Sequence, residues 1–151
     1  MVAIDASALL RPIIRPATST DIPALVAQTA EIEGGDARDA EWFLSRLDTV
    51  LVLVDGDRVL GHTAWSIDPR GWTWWDQTVV AAEVRGQGWG GRLMEARDTQ
   101  TSGLILGACR EDNIPMVRLL TRLGFHICQR IPNGYTTGEA LLWARRHAWE
   151  R

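Results

Sequence analysis

A chain of 151 residues with 46% hydrophobic content has the size and the apolar mass of one domain built on one continuous core. A formal charge of −3 and a pI near 5.6 supply no basic field for a nucleic acid or an anionic membrane, which argues against both as partners. The two cysteines, Cys109 and Cys128, lie in apolar surroundings without CxxC or Cys/His spacing, so neither a disulfide framework nor a metal site is expected and a reducing cytoplasm fits best.

Residues 1–11 read as a leader, with no basic start and no sustained apolar run to make a signal peptide, and no segment approaches a membrane span; residues 12–151 are then the single domain. Pro12 to Pro16 is a short first strand, and Thr18 with Asp21 three residues on approximates a capping box. Ile22, Leu25, Val26, Thr29 and Ile32 keep helical spacing until Gly34-Gly35, and Ala40, Phe43, Leu44 and Leu47 repeat it in a second helix. Val50 to Val54, the turn Asp55-Gly56-Asp57 and Arg58 to Ile67 make an antiparallel hairpin, and Asp68 to Gly71 turns the chain into a third strand, Trp72 to Ala82. Leu93, Met94 and Ala96 line the next helix to about Thr101, before the buried-looking strand Leu104 to Cys109. Asn113 opens a last helix that accepts Pro115 in its first turn, shows Met116, Leu119, Leu120 and Leu123 on one face, and stops at Gly124-Phe125. Phe125 to Arg130 and Glu139 to Arg145 are a final strand pair across the loop 131–138. The fold class is therefore α/β (α+β): a mixed, mainly antiparallel central sheet of six to seven strands flanked by about four helices.

Between Thr78-Val79-Val80 and the third helix lies Arg85-Gly86-Gln87-Gly88-Trp89-Gly90-Gly91. Glycines let the oxygens of a diphosphate approach the main chain where the first N–H groups of a helix lack partners, and Arg85 and Arg92 add positive charge. An ordinary glycine-rich turn is the plainer reading, but four glycines within six residues after an apolar strand favour an anion site.

The run Val79 to Met94 resembles the coenzyme A signature of the GNAT superfamily of N-acetyltransferases, Q/R-x-x-G-x-G/A, with Arg85, Gly88 and Gly90 at its fixed positions. Asn113-x-x-Met116-x-x-Leu119-Leu120-x-x-Leu123-Gly124-Phe125 is similar to the family's N-x-x-A-x-x-L-Y-x-x-x-G-F helix, and Arg15 with Asp21 looks like its opening R-x-a-x-x-x-D pattern. The resemblance, which extends in element order from about residue 12 to residue 145, implies a GNAT-like fold and transfer of an acetyl group from acetyl-CoA to a primary amine of a small molecule or a peptide. It implies coenzyme contacts from Thr78, Val79, Val80, Arg85, Gly86, Gln87, Gly88, Trp89, Gly90, Gly91 and Asn113, with main-chain N–H groups near Val79 and Val80 on the thioester and its arm; a homodimer stays open. One rival is literal: Gly86 to Gly91 also satisfies GxGxxG, with Glu111 and Asp112 roughly where a ribose-binding acid belongs. Only 60 residues remain after Gly91 to complete a doubly wound sheet, and the preceding half is hairpin-like, which counts against a dinucleotide site.

Departures from the family carry as much information as the matches. Leu120 stands where many members use a tyrosine to protonate the departing thiolate, and Gly107-Ala108-Cys109 stands where the acetyltransferases of protein N-termini carry a glutamate base. Asp76, on the strand entering the coenzyme site, is the first substitute for the base; an ordinary solvated carboxylate is the alternative, and Glu31, Glu33 and His62 follow it. The sole tyrosine, Tyr135, lies in the last loop, and His126 and His147 show no partner spacing. Eight tryptophans are many for this length; Trp72, Trp74 and Trp75 are core by default, and with Trp42 they form an aromatic acceptor wall in the sharper reading. A non-catalytic acyl-CoA-binding sensor or partner subunit is the second function class.

Overall fold

The computed structural model describes residues 11–31, 37–135 and 138–146. Residues 1–10 of the expected leader, the Gly34-Gly35 helix stop and His147 lie outside them.

The chain runs β1 (Ile13–Pro16), α1 (Ile22–Ala30), α2 (Ala40–Leu44), β2 (Val50–Asp55), β3 (Arg58–Ile67), β4 (Thr73–Val80), α3 (Trp89–Asp98), β5 (Leu104–Arg110), α4 (Ile114–Arg122), β6 (His126–Tyr135) and β7 (Gly138–Arg146). One seven-stranded sheet follows, in the order β1-β2-β3-β4-β5-β7-β6. Only β4 and β5 pair in parallel. This is the mixed, mainly antiparallel sheet with four helices that the periodicities predict.

Local chemistry sets the helix ends. The Asp21 carboxylate accepts the Thr18 N–H at 2.8 Å and both Arg15 guanidinium nitrogens at 2.8 and 3.0 Å, which ties β1 to the start of α1 and holds Asp21 below the usual carboxylate range. Asn113 Oδ1 accepts the Met116 N–H at 3.3 Å and caps α4, which ends where Gly124 takes a φ of +85°. The second helix is shorter than its apolar spacing predicts. Ser45 Oγ and Arg46 Nε both donate to the Trp42 carbonyl, so the next turn loses its acceptor and the chain tightens into a 3₁₀ turn at Leu47–Thr49.

β2 is a continuous buried run, as a strand covered on both faces must be. On one face α1 and α2 place Leu25 and Phe43 against Val50, Val52, Val54 and Ala64. On the other, α3 sets Leu93 against Leu51, Leu53, Leu60 and Trp65, while α4 sets Leu120 against Trp75, Ile105, Leu141 and Trp143. Asp98 joins these parts, accepting from the buried Arg97 and from Arg145, whose guanidinium also donates to the Leu123 carbonyl at 2.7 Å. The loop expected over 131–138 is mostly strand, because β6 continues to Tyr135 through two register shifts. Its place at the sheet edge lets Pro132 lack an N–H without breaking a ladder.

Candidate functional site

The site begins with a fault in the sheet. β3 and β4 pair Ala64 with Gln77 but Trp65 with Trp75, so Asp76 has no cross-strand partner and is the extra residue of a β-bulge. The bulge reverses which way the strand's odd residues face. Trp75 packs into the core under α4, whereas Gln77 turns to α1 and donates to Thr29 Oγ1 at 3.0 Å. At the same level β5 leaves β4: the two pair only from Thr73↔Ile105 to Trp75↔Gly107, although β4 runs on to Val80 and β5 to Arg110. Trp75 seals the vertex. Its indole lies where a side chain on Gly107 would begin, 2.4 Å from that Cβ position, and its N–H reaches Thr78 Oγ1 at 2.9 Å.

Beyond the vertex, β4 has a free edge. The Ala81 N–H bonds to the Leu60 carbonyl at 2.8 Å, so antiparallel alternation turns the main-chain groups of Val79 and Gln77 to β3 and those of Thr78 and Val80 into the gap. The Val80 carbonyl accordingly accepts from Arg85 Nε at 2.8 Å, away from β3.

The gap opens into a cleft of about 940 Å³ that continues to the start of α3. Gly86 and Gly88 adopt φ of +76° and +87°, the left-handed region that glycine reaches without strain, and Gly88 caps α3. Arg122 from α4 completes this end, with a guanidinium nitrogen 3.7 Å from where a Cβ on Gly91 would sit. Arg92 stacks over Trp89 at 4.6 Å. Of the eleven residues expected at a coenzyme, all but Gln87 line the cleft. Sequence reading missed Met116, Leu119 and Arg122; their spacing along α4 puts them on one helix face, and that was the available signal.

Asp76 also lines the cleft. Its Oδ2 accepts from Ser66 Oγ at 2.5 Å, and Ser66 alternates with Trp65 to the α1/α2 face, so the carboxylate looks toward that side. Burial pushes its pKa up; the Ser66 hydrogen bond and the charges of Arg46 and Arg38 pull it back without cancelling the rise. Glu31 lines the cleft as well, and Glu33 lies outside the described residues. His62 does not reach the cleft. It is fully buried, with ring nitrogens 2.8 Å from Gln28 and 2.9 Å from Gln77, and desolvation lowers its pKa to about 4, which removes it as a base.

Leu120 needs correction too. Motif spacing aims it at the coenzyme sulfur, yet its side chain is fully buried against Trp75 and Trp143, and the neighbouring Met116 and Leu119 line the cleft instead. The tryptophan cluster divides: Trp75 is core, Trp72 stacks under Arg70 at 3.7 Å, and Trp74 donates to Asp68 at 3.0 Å. Among the described residues, no helix is long and apolar enough to cross a membrane and no group of His, Cys, Asp and Glu is placed to hold a metal.

The fold that carries this site is shared with known structures. The protein yncA from Salmonella typhimurium, solved with its cofactor acetyl-CoA, superposes with a TM-score of 0.79 at 17% identity over 91% of this chain and 96% of its own. Ard1 from Thermoplasma volcanium gives 0.77 at 23% identity, covering 89% and 96%. The ribosomal-protein-S18-alanine N-acetyltransferase from Escherichia coli gives 0.75 at 18%, covering 89% and 92%. No curated protein matches the sequence significantly. The acetyltransferase (GNAT) family itself matches residues 18–125, which contain the bulge, the free edge of β4 and the glycine-rich start of α3. The dinucleotide rival falls with that match and with the antiparallel strands that precede the glycines, and the chain belongs to the GNAT family.

Proposed function

We propose that this protein transfers the acetyl group of acetyl-CoA to a primary amine by direct attack of the amine on the thioester. The observation that carries this reading is the free edge of β4, continuous in one cleft with an anion-suited helix start and with a carboxylate of raised pKa. The residues present fit the donor. The glycine loop and the first N–H groups of α3 suit a diphosphate, and Arg85, Arg92 and Arg122 bring charge that no carboxylate among the described residues neutralises. Thr78 and the Val80 N–H face the gap and offer main-chain groups to an amide-bearing arm, as a sheet edge does to an added strand, while the Val80 carbonyl is held by Arg85. Bound there, acetyl-CoA supplies the acetyl group as a thioester, and sulfur departs as the thiolate once the amine nitrogen has replaced it on the carbonyl carbon.

Asp76 holds the proton that the acceptor ammonium gives up. With Oδ2 engaged by Ser66, Oδ1 remains for the amine, and a raised pKa makes the carboxylate a better acceptor. Cys109 lines the cleft, but burial raises its thiol pKa and keeps it protonated near neutrality, which favours direct transfer over an acylated cysteine. The buried Leu120 supports the second reading, a family member that binds acyl-CoA and transfers nothing, because no proton donor replaces the expected tyrosine on α4. Thiol release from acetyl-CoA across a panel of amines, polyamines, amino acids and peptides separates the two. On either reading acetyl-CoA raises the melting temperature, and Gly88→Asp abolishes the shift by placing bulk and negative charge at the helix start. Stabilisation by NAD and not by acetyl-CoA would overturn both.

A further inference from the structure

All sixteen basic residues of the sequence are arginines. Among the described residues, seven of them are ion-paired with a carboxylate. Of those that are not, one group, Arg85, Arg92 and Arg122, stands at the donor end of the cleft. A second group stands on the other face of the sheet, around Trp42. The guanidinium carbons of Arg38 and Arg46 lie 5.2 and 4.1 Å from the Trp42 ring centroid, and all three side chains are half-buried. Comparison with Arg70 is instructive: it too covers a tryptophan, but it is bonded through two nitrogens to Asp68. Around Trp42 no acid among the described residues plays that part.

Both arginines are anchored beside Asp76. The Arg38 main-chain N–H donates to Thr29 Oγ1 at 3.1 Å, the same hydroxyl that receives Gln77 Nε2, and Gln77 is the chain neighbour of Asp76. Arg46 Nε donates to the Trp42 carbonyl at 3.0 Å, which leaves both terminal nitrogens of its fork to other acceptors. Arg38 Nε is buried without a hydrogen-bond partner. Trp42 is itself held edge-on by Phe43, 5.0 Å between centroids, so the cations rest on a fixed platform. Asp76 feels both charges but does not occupy the two forks, since its hydrogen bond goes to Ser66. Half-buried guanidinium groups with unused N–H donors, next to the carboxylate that receives the acceptor amine, are complementary to an anion attached to that amine.

We propose that Arg38 and Arg46, stacked on Trp42, bind a carboxylate of the acceptor, so that the amine acetylated by this protein belongs to an amino acid or to a peptide with an acidic side chain near its N-terminus. The inference rests on the reading of Asp76 as the base at the acceptor end. Cationic polyamines are disfavoured by the same two charges.

The test compares each common L-amino acid with its carboxamide, and acidic with amidated second residues in short peptides. Thiol release is measured with acetyl-CoA, and calorimetric binding is measured on protein saturated with coenzyme A. Carboxylate acceptors are expected to exceed their amides by about tenfold or more in kcat/KM, with the stronger arm naming the source of the carboxylate. Arg38→Gln and Arg46→Gln raise KM for the carboxylate form far more than for its amide, Arg46→Lys recovers part of the loss, and the acetyl-CoA melting shift persists in all three. Equal use of acids and amides, a preference for polyamines, or a loss in the Gln variants that is the same for both forms overturns the proposal. If no amine is acetylated, the transferase reading fails, and the binding measurement still decides the carboxylate site by preference for acids over amides or its absence.

Discussion

Asp76 owes its aim to a missing partner. An unbulged β4 would alternate strictly, and its residue 76 would be one more position in the ladder; the shift between Ala64 and Trp65 frees it to turn toward Ser66 and toward Arg38 and Arg46, which flank α2. Asp76→Asn is expected to lower turnover at neutral pH by more than about tenfold and to leave the acetyl-CoA melting shift intact, because general-base removal commonly costs on the order of a hundredfold while the donor end is untouched. Unchanged kcat/KM in a folded mutant would move the base to Glu31 or water. The Ser66 hydrogen bond lowers the Asp76 pKa, so Ser66→Ala should shift the acidic limb of the rate profile to higher pH. That Asp76 lies at the cleft was legible from its position ahead of the glycines, but the bulge was not. A bulge is a property of pairing between strands, and Trp74-Trp75-Asp76-Gln77 carries no local mark of it. Leu120 failed for a related reason: helical spacing says which residues share a face, not which neighbour the face meets.

At the scale of elements, α1 is fastened to the sheet through a histidine that burial holds neutral. Gln28 from α1 donates to the Val59 carbonyl at 3.0 Å and meets the His62 ring, whose other nitrogen meets Gln77, and Gln77 returns to Thr29 on α1. Both ring nitrogens face amide oxygens, Oε1 of Gln28 and Oε1 of Gln77, of which a neutral ring can donate to only one, so it is burial and not this pair of acceptors that keeps the ring neutral. The folded pKa of about 4 lies below the ordinary 6.5, so the unfolded chain binds the extra proton first. Stability from this group is therefore complete above pH 6.5 and is lost as pH falls from there through 4, about 3 kcal/mol in all. Denaturant midpoints of the wild type should drop over that window, and His62→Leu should flatten the slope while lowering stability at neutral pH; an unchanged slope would place the acid sensitivity elsewhere. Sequence reading set His62 among candidate bases because a histidine on a strand near the site looks available. Its two glutamine partners sit 34 and 15 residues away, a separation that no local pattern reports.

For the whole molecule, the weak seam is the three-residue contact between β4 and β5. The order of elements was readable from periodicity and turn chemistry, and so was the hairpin of β6 and β7. The insertion of β7 between β5 and β6, and the early parting of β4 from β5, were not, because a hairpin specifies its own pairing and leaves open which strand continues the sheet. Amide hydrogen exchange reads the seam directly. Thr78 and Val80 face the gap and should exchange rapidly in the free protein, slowing by on the order of tenfold or more with acetyl-CoA, while Val79, already bonded to β3, changes little. Equal protection of all three before ligand is added would mean that the gap is closed in solution. The parting of the strands has a further result for the proposed reaction. The lining reaches from the glycine-rich start of α3 to Asp76 and to Glu31 at the end of α1, so on the proposed reading donor and acceptor occupy opposite ends of one cleft. On that reading neither molecule has to leave for the other to enter, and the order of arrival and departure is set by affinity and not by access.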